Sequence, residues 1–296
     1  MIIQLQVLRF IFVMLIVCSH LSILGFPDFE AGGDSGVAFF FVVSGYLMML
    51  HNGKVLERGE FHHIYFLQKH IRKIYPLFFL SWLMEVLLKH NLQDILYALP
   101  SLLLIQSWIP LPEIYFGGNP VAWFLSVLVA AWLFLPVLYK VVRCKWGIVI
   151  VLLLYSLLCY FITEDNINAW LYVFAPVRMV DFVLGMWLCK FIEKKVIDTR
   201  AACCLFLIGI LCIAASISFY HDIEPHVRNA AIFWPFILMI IPTVSSLPSM
   251  LDKVMKQRYL VMLGNHTLEI FLFHFIVFQV TAIIFRRYGF IRIFNP

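Results

Sequence analysis

The chain has 296 residues, of which 63% are hydrophobic and only 13% are charged. A soluble domain of this size needs more polar residues to cover its core, so the composition excludes an ordinary soluble enzyme and indicates a polytopic membrane protein. The formal net charge of +5, without a basic tail, indicates membrane orientation rather than nucleic-acid binding.

Hydrophobic segments recur along the whole chain, and about 20 apolar residues suffice to cross the hydrocarbon layer as a helix. The first segment has no small-residue cleavage pattern, so we keep it in the mature protein. We therefore predict an all-α membrane helix bundle that forms one domain over residues 1–296, without an appended soluble domain. Its ten hydrophobic segments lie near residues 5–24, 36–50, 71–88, 95–109, 120–139, 147–162, 170–190, 201–219, 229–246 and 260–285.

The charges between these segments predict the side on which each loop lies. Residues 25–35 carry only acidic charges, whereas the connection between the second and third segments is basic. Since positive loops stay in the cytoplasm, we expect the amino terminus and residues 52–70 inside and residues 25–35 outside. The later loops agree only if segment 95–109, interrupted by Pro100, fails to cross completely. This leaves nine or ten complete spans.

Arg9 and His20 flank a stretch of ten residues, nine of which are apolar. On an α-helix they would lie about 16 Å apart along the axis and only about 20° apart around it, so both would project from one face. Ionisable groups deep in a bilayer often mark substrate or proton paths, and a histidine suits a general base. The structural alternative is that Arg9 reaches the headgroups as an anchor and His20 binds a neighbouring helix.

The stretch GGDSGVAFFFVVSGYLM, residues 32–48, carries the most specific pattern. With Arg9 and His20 upstream it closely resembles the opening of the acyltransferase-3 family of integral-membrane acyltransferases. That family has an Arg, ten residues, a His, and then a Gly-Val-x-x-Phe-Phe-Val-x-Ser-Gly-Tyr/Phe-Leu block. Ser44 and Tyr46 occupy the last part of the block in this chain.

The resemblance continues to about residue 278 and so covers nearly the whole chain. FLQKHIRKIYP resembles the family's basic loop, with Lys69 where an Arg is usual and with Arg72 retained. Lysine keeps the charge there but not the planar fork of arginine. Three further blocks fit, and they add the candidate site residues Trp123, Arg178 and His274.

Members of the family move an acyl group, often acetyl, from cytoplasmic acyl-CoA to an extracytoplasmic hydroxyl. The resemblance thus implies an O-acetyltransferase of the bacterial inner or plasma membrane, acting on a cell-surface polysaccharide or its lipid-linked precursor. Acetyl-CoA would be the co-substrate, membrane lipids would surround the chain, and no bound cofactor or metal is implied. His20 and Arg9 would be the catalytic residues, with His20 as the base, since an alcohol is a weak nucleophile at neutral pH. The cations expected to bind the CoA phosphates are Arg9, Lys69, Arg72 and Lys73.

Two alternatives stay open from the sequence. A covalent acyl-enzyme would need a nucleophile, and two serines are candidates: Ser19, next to His20, and Ser44, in the second segment. No GxSxG nucleophile elbow is present, so direct transfer is preferred. A transporter or flippase for a lipid-linked sugar would also place Arg and His along a membrane path. It would favour two similar halves with matching broken helices, whereas only one Pro/Gly-interrupted region is found.

Overall fold

The protein is described by a computed structural model over residues 3–89, 91–193, 195, 197–228 and 231–287. All regular structure in these ranges is helical, which confirms the all-α prediction. Short 3-10 or π-helical segments connect the α-helices. The α-helices are α1 (Gln4–Ser19), α2 (Glu30–Glu57), α3 (His63–Leu87), α4 (Leu92–Leu102), α5 (Pro112–Tyr115), α6 (Trp123–Leu133), α7 (Leu135–Arg143), α8 (Gly147–Phe161), α9 (Ala175–Ile192), α10 (Thr199–Ser218), α11 (Pro225–Arg228), α12 (Trp234–Ile240), α13 (Ser249–Met255), α14 (Arg258–Asn265) and α15 (Thr267–Arg287).

Several of these helices are long and apolar enough to cross a membrane. By length and composition, α2, α10 and α15 qualify on their own, and the number in the described ranges rises to six if each bent pair is one span. The bent pairs run over residues 120–143, 164–192 and 231–255, with bends of 67°, 54° and 104°. The chain therefore has the helices of a membrane protein, while nine or ten spans stays a prediction.

The segment predicted to cross incompletely contains α4. This helix has eleven residues, about 16 Å at 1.5 Å per residue, which is too short for a hydrocarbon core of about 30 Å. Side chains of α3 satisfy part of its backbone, because Trp82 Nε1 donates to the Ala98 carbonyl and the Tyr75 hydroxyl donates to the Leu102 carbonyl, both at 3.1 Å. Pro100 lies inside α4 rather than at a break.

Polar contacts link the helix ends at one end of the bundle. Arg143 at the end of α7 forms an ion pair of 2.8 Å with Glu57 at the end of α2. Lys190 near the end of α9 donates to a backbone carbonyl of α7 at 2.9 Å. At the start of α1, Gln4 donates to Asp252 of α13 at 2.8 Å. Because α1 and α2 pack as antiparallel neighbours, these contacts lie at the end of the bundle that the charge pattern predicts to be cytoplasmic.

The closest helix packing joins α2 and α9 through two glycines. A Cβ added at Gly45 would lie 1.9 Å from the Phe182 carbonyl oxygen, and one at Gly185 would lie 1.9 Å from the Val42 carbonyl oxygen. No side chain fits at such distances, so the two backbones touch directly. Small residues commonly allow this close approach between membrane helices.

Gly45→Ala is therefore expected to lower the free energy of unfolding by about 1–3 kcal/mol, the typical cost of overpacking. The measurement is the unfolding midpoint of detergent-purified protein, followed by circular dichroism. Gly53 offers a matched control on the same helix, because its added Cβ meets only the flexible Met49 side chain, at 3.3 Å. Gly53→Ala should leave the midpoint unchanged or raise it. Equal losses in both variants would contradict the packing explanation.

Candidate active site

His20 lies directly after α1, as the residue that caps its carboxyl end. The predicted α-helix over the first segment thus ends at Ser19, and residues 21–24 continue as a 3-10 turn. His20 Nδ1 lies 2.9 Å from the Ile16 carbonyl oxygen. Because a carbonyl oxygen only accepts, Nδ1 of the neutral ring carries the proton and Nε2 keeps its lone pair. This is the tautomer that a base acting through Nε2 needs.

His274 of α15 contacts His20. Its Nε2 lies 3.3 Å from His20 Nδ1, and the two ring centroids are 5.0 Å apart. His274 Nδ1 faces backbone carbonyl oxygens of Phe271 at 2.8 Å and Ile270 at 3.2 Å, so this nitrogen carries the proton of the neutral ring. The structure therefore brings together two candidate residues that lie 254 positions apart in the chain.

A cavity of about 800 Å³ opens beside His20. Its walls come from the end of α1, the start of α2, residues 116–123, residues 164–172, the turn after α10 and the first half of α15. Aromatic walls with a few convergent polar groups are typical of sites for small organic molecules. The aromatic wall residues are Phe116, Trp123, Tyr172, Tyr220, Phe271 and Phe275. The carboxylates are Glu30, Asp34, Glu164 and Asp165.

Asp34 is a wall residue that the sequence did not single out. Its carboxylate accepts a hydrogen bond from the Tyr220 hydroxyl and another from Tyr172. These bonds join α2 to the two segments that close the cavity. Asp34 lies within the block quoted above, and Glu164 and Asp165 lie between α8 and α9, at the end of α8 that is opposite to the predicted cytoplasmic end. Acidic residues next to outer helix ends were thus the available signal, but they also fit an ordinary solvated loop.

Arg178 does not line the cavity. Its side chain is 2% exposed and forms an ion pair of 3.0 Å with Asp181, one turn further along α9. Asp181 also accepts a hydrogen bond from the Trp234 indole. The guanidinium lies 5.3 Å from the ring centre of Tyr172, so Arg178 supports the cavity wall from behind. This arrangement suits a buried structural cation, and the role of Arg178 as a site residue stays a prediction.

Three further candidates, Ser44 and Tyr46 on α2 and Trp123 on α6, differ in whether they line the cavity. Trp123, at the start of α6, lines the cavity and packs at 4.9 Å from the ring of Tyr172. Tyr46 is buried in the core, and Ser44 is half-buried on the same helix. Neither of these two residues lines the cavity. Of these three candidates, only Trp123 is placed to touch a molecule held beside His20.

The four expected donor-binding cations lie away from this cavity. Arg9 is half-buried on α1, donates to Gln6 Oε1 at 3.0 Å and has Glu269 as a nearby charge. The other three, Lys69, Arg72 and Lys73, are exposed on the first half of α3. Because α1 and α3 both begin at the predicted cytoplasmic end, all four cations lie on that side of His20. The structure thus separates the predicted cations from the predicted base.

A second cavity, of about 620 Å³, lies between α8 and residues 224–234. It contains none of the residues predicted from the sequence. Its polar feature is an ion pair of 2.5 Å between His226 and Glu224, and this hydrogen bond raises the pKa of His226 above its ordinary value. Within the described ranges, no group of three or more His, Cys, Asp or Glu side chains could hold a metal ion.

The comparison with known families decides what kind of protein this is. A family model described as an acyltransferase domain, that of the acyltransferase-3 family, matches residues 2–296. The chain belongs to this family. As an acyltransferase-3 protein it needs an acyl donor and an acceptor, and its apolar helices agree with a membrane location.

A curated relative supports the same activity. The acyltransferase MdmB of Streptomyces mycarofaciens is 26% identical over 282 residues, which cover 83% of this chain and 68% of the relative. No solved structure matches the chain. The protein is therefore an acyltransferase, and its family membership favours an enzyme over a transporter.

Proposed function

We propose that this acyltransferase is an O-acetyltransferase of the bacterial inner or plasma membrane. It would transfer acetyl from acetyl-CoA to a carbohydrate hydroxyl of a cell-surface polysaccharide or its lipid-linked precursor. The observation that carries the proposal is His20, which lines a cavity of about 800 Å³ with its Nε2 lone pair unengaged by the backbone. Carboxylates and aromatic rings around it suit the hydroxyls and the apolar faces of a sugar.

In the proposed reaction, His20 Nε2 takes the proton of the acceptor hydroxyl as its oxygen attacks the thioester carbonyl carbon. The new C–O bond forms, the C–S bond breaks, and the proton on Nε2 passes to the departing sulfur of CoA. His20 returns to its neutral state without a covalent acyl-enzyme. The Ser19 hydroxyl donates to the Ile16 carbonyl at 2.7 Å and lies 3.4 Å from His20 Nδ1. Because that nitrogen carries a proton, it cannot take the serine proton, which supports direct transfer.

The donor would bind from the cytoplasmic end, with its phosphates held by cations of α1 and α3. Arg9, Arg72 and the exposed lysines of α3 are separated from His20 by part of the bundle. The flexible arm of CoA between its phosphates and its thioester would span this distance. Charge-assisted hydrogen bonds to phosphate are the strong ones in proteins, and arginine can make two at once.

Arg72→Ala is expected to raise the KM for acetyl-CoA about 10-fold, the effect of losing one hydrogen bond to a charged group. The KM for the acceptor should not change, because the two substrates bind at different ends. Steady-state kinetics with each substrate varied in turn measures both constants. Arg58→Ala is the matched control, since Arg58 is also exposed and belongs to the same basic connection. Equal changes in both constants would argue against a donor-binding role.

The proposed function is tested by incubating purified protein with labelled acetyl-CoA and candidate glycans. Transfer of label to a glycan hydroxyl would support it. Consumption of acetyl-CoA with transfer only to an acceptor that is not a carbohydrate would overturn the acceptor class. Transfer from longer acyl-CoA thioesters but not from acetyl-CoA would overturn the donor.

A further inference from the structure

We infer that His274 is a positioning residue for the base His20. This inference rests on the proposed function, since it assigns His274 a role only in the reaction of His20. His274 is 7% exposed and does not line the cavity, so it does not touch the acceptor there. It acts through its contact with His20 Nδ1, at 3.3 Å.

The hydrogen-bond directions along this contact follow from the backbone. The carbonyl oxygens of Phe271 and Ile270 fix the proton of His274 on Nδ1, which leaves Nε2 as an acceptor. The Ile16 carbonyl fixes the proton of His20 on Nδ1. His20 Nδ1–H therefore faces the Ile16 carbonyl at 2.9 Å, His274 Nε2 at 3.3 Å and, more distantly, the Ser19 hydroxyl oxygen at 3.4 Å, and these acceptors favour a free lone pair on His20 Nε2.

The contact becomes stronger during the reaction. When His20 Nε2 takes the acceptor proton, the ring becomes an imidazolium while Nδ1 keeps its own proton. A hydrogen bond from a charged donor is about twice as strong as one between neutral groups. His274 Nε2 then stabilises the positive charge in a buried site, and no proton leaves His20 toward His274. The two imidazoles return to their starting states when the proton passes to sulfur.

His274 also limits the rotation of the His20 ring. The ring of His20 is packed edge-on against Phe275, at 5.4 Å between centroids, and both Phe275 and His274 belong to α15. His20 stands at the end of α1, where the chain turns from α-helix to 3-10 helix, so the next turn of α1 is not there to pack against its ring. Helix α15 packs against the ring instead, through His274 and Phe275.

The test uses two replacements of His274 in detergent-purified, monodisperse protein. His274→Phe removes the acceptor, and we expect it to lower kcat about 10- to 100-fold with an unchanged KM for acetyl-CoA. His274→Gln keeps a side-chain oxygen that can accept from His20, and it should recover most of this loss. His266→Gln is the control, because His266 is an exposed histidine next to the start of α15.

A double-mutant cycle separates the positioning role from packing. In the His20→Ala background, His274→Phe should cause no further loss of the residual activity, because a positioning residue acts only through the residue that it positions. Additive losses would overturn the inference, as would full kcat in His274→Phe. A wild-type protein that acetylates no glycan would instead refute the proposed function. The positioning test does not depend on that result, because it compares the variants on the acceptor that the wild-type protein uses.

Discussion

His20→Ala is expected to lower kcat by about 10²–10⁴-fold, the usual effect of removing one general base. The affinity for acetyl-CoA should change little, because the cations predicted to bind its phosphates lie on α3 and in the first half of α1, away from the cavity beside His20. The measurement combines turnover with acyl-CoA binding on the same monodisperse sample. The large loss follows from chemistry rather than folding, since the His20 side chain makes a single hydrogen bond to the backbone, to the Ile16 carbonyl, and is only half-buried.

His51→Ala is the matched control for this prediction. His51 lies on α2, and its Nδ1 contacts the carbonyl oxygen of Leu47, four residues earlier, at 2.7 Å. This repeats the local bond between His20 and Ile16, but His51 is exposed and does not line the cavity. It should therefore retain near wild-type turnover. A well-folded His20→Ala protein that still acetylates at the wild-type rate would remove His20 as the base.

The sequence pointed to the part of the candidate cavity that lies within single segments. His20 and Trp123 were found because each stands in a short block that resembles a family pattern, and both line the cavity. The contact between His20 and His274 joins the first and last helices, and no spacing rule connects positions so far apart. Asp34 was missed for the same reason, since its partners Tyr172 and Tyr220 come from other connections.

Hydropathy predicted where apolar segments lie but not how they bend. The segment near 120–139 is one run in the sequence, yet it forms α6 and α7 with a bend of 67°. Pro136, in the first turn of α7, does not by itself specify such an angle. By contrast, the incomplete crossing predicted for segment 95–109 follows from the loop charges, which require both ends of the segment on one side. The charge pattern therefore constrained the topology, but it did not predict the angle between α6 and α7.

Arg178 was predicted as a site residue, and the structure surrounds it with groups that also suit a structural cation. Its block resembles a family pattern, and an arginine deep in a membrane segment is often functional. Here the guanidinium pairs with Asp181 at 3.0 Å and lies between the rings of Phe41, at 5.2 Å, and Tyr172, at 5.3 Å. Asp181 is its i, i+3 neighbour in the sequence, and such a pair on one helix face also fits a structural ion pair.

Arg178→Leu is expected to lower the free energy of unfolding by about 3–5 kcal/mol, because it leaves Asp181 as an unpaired buried charge. Adding Asp181→Asn should recover much of this loss, since the amide is neutral and still accepts from Trp234. The exposed pair gives the control: Arg143→Ala breaks an ion pair of 2.8 Å with Glu57 and should cost at most about 1 kcal/mol. Unfolding midpoints measured by circular dichroism compare the three variants. An Arg178→Leu protein with wild-type stability but no turnover would instead make Arg178 a functional residue.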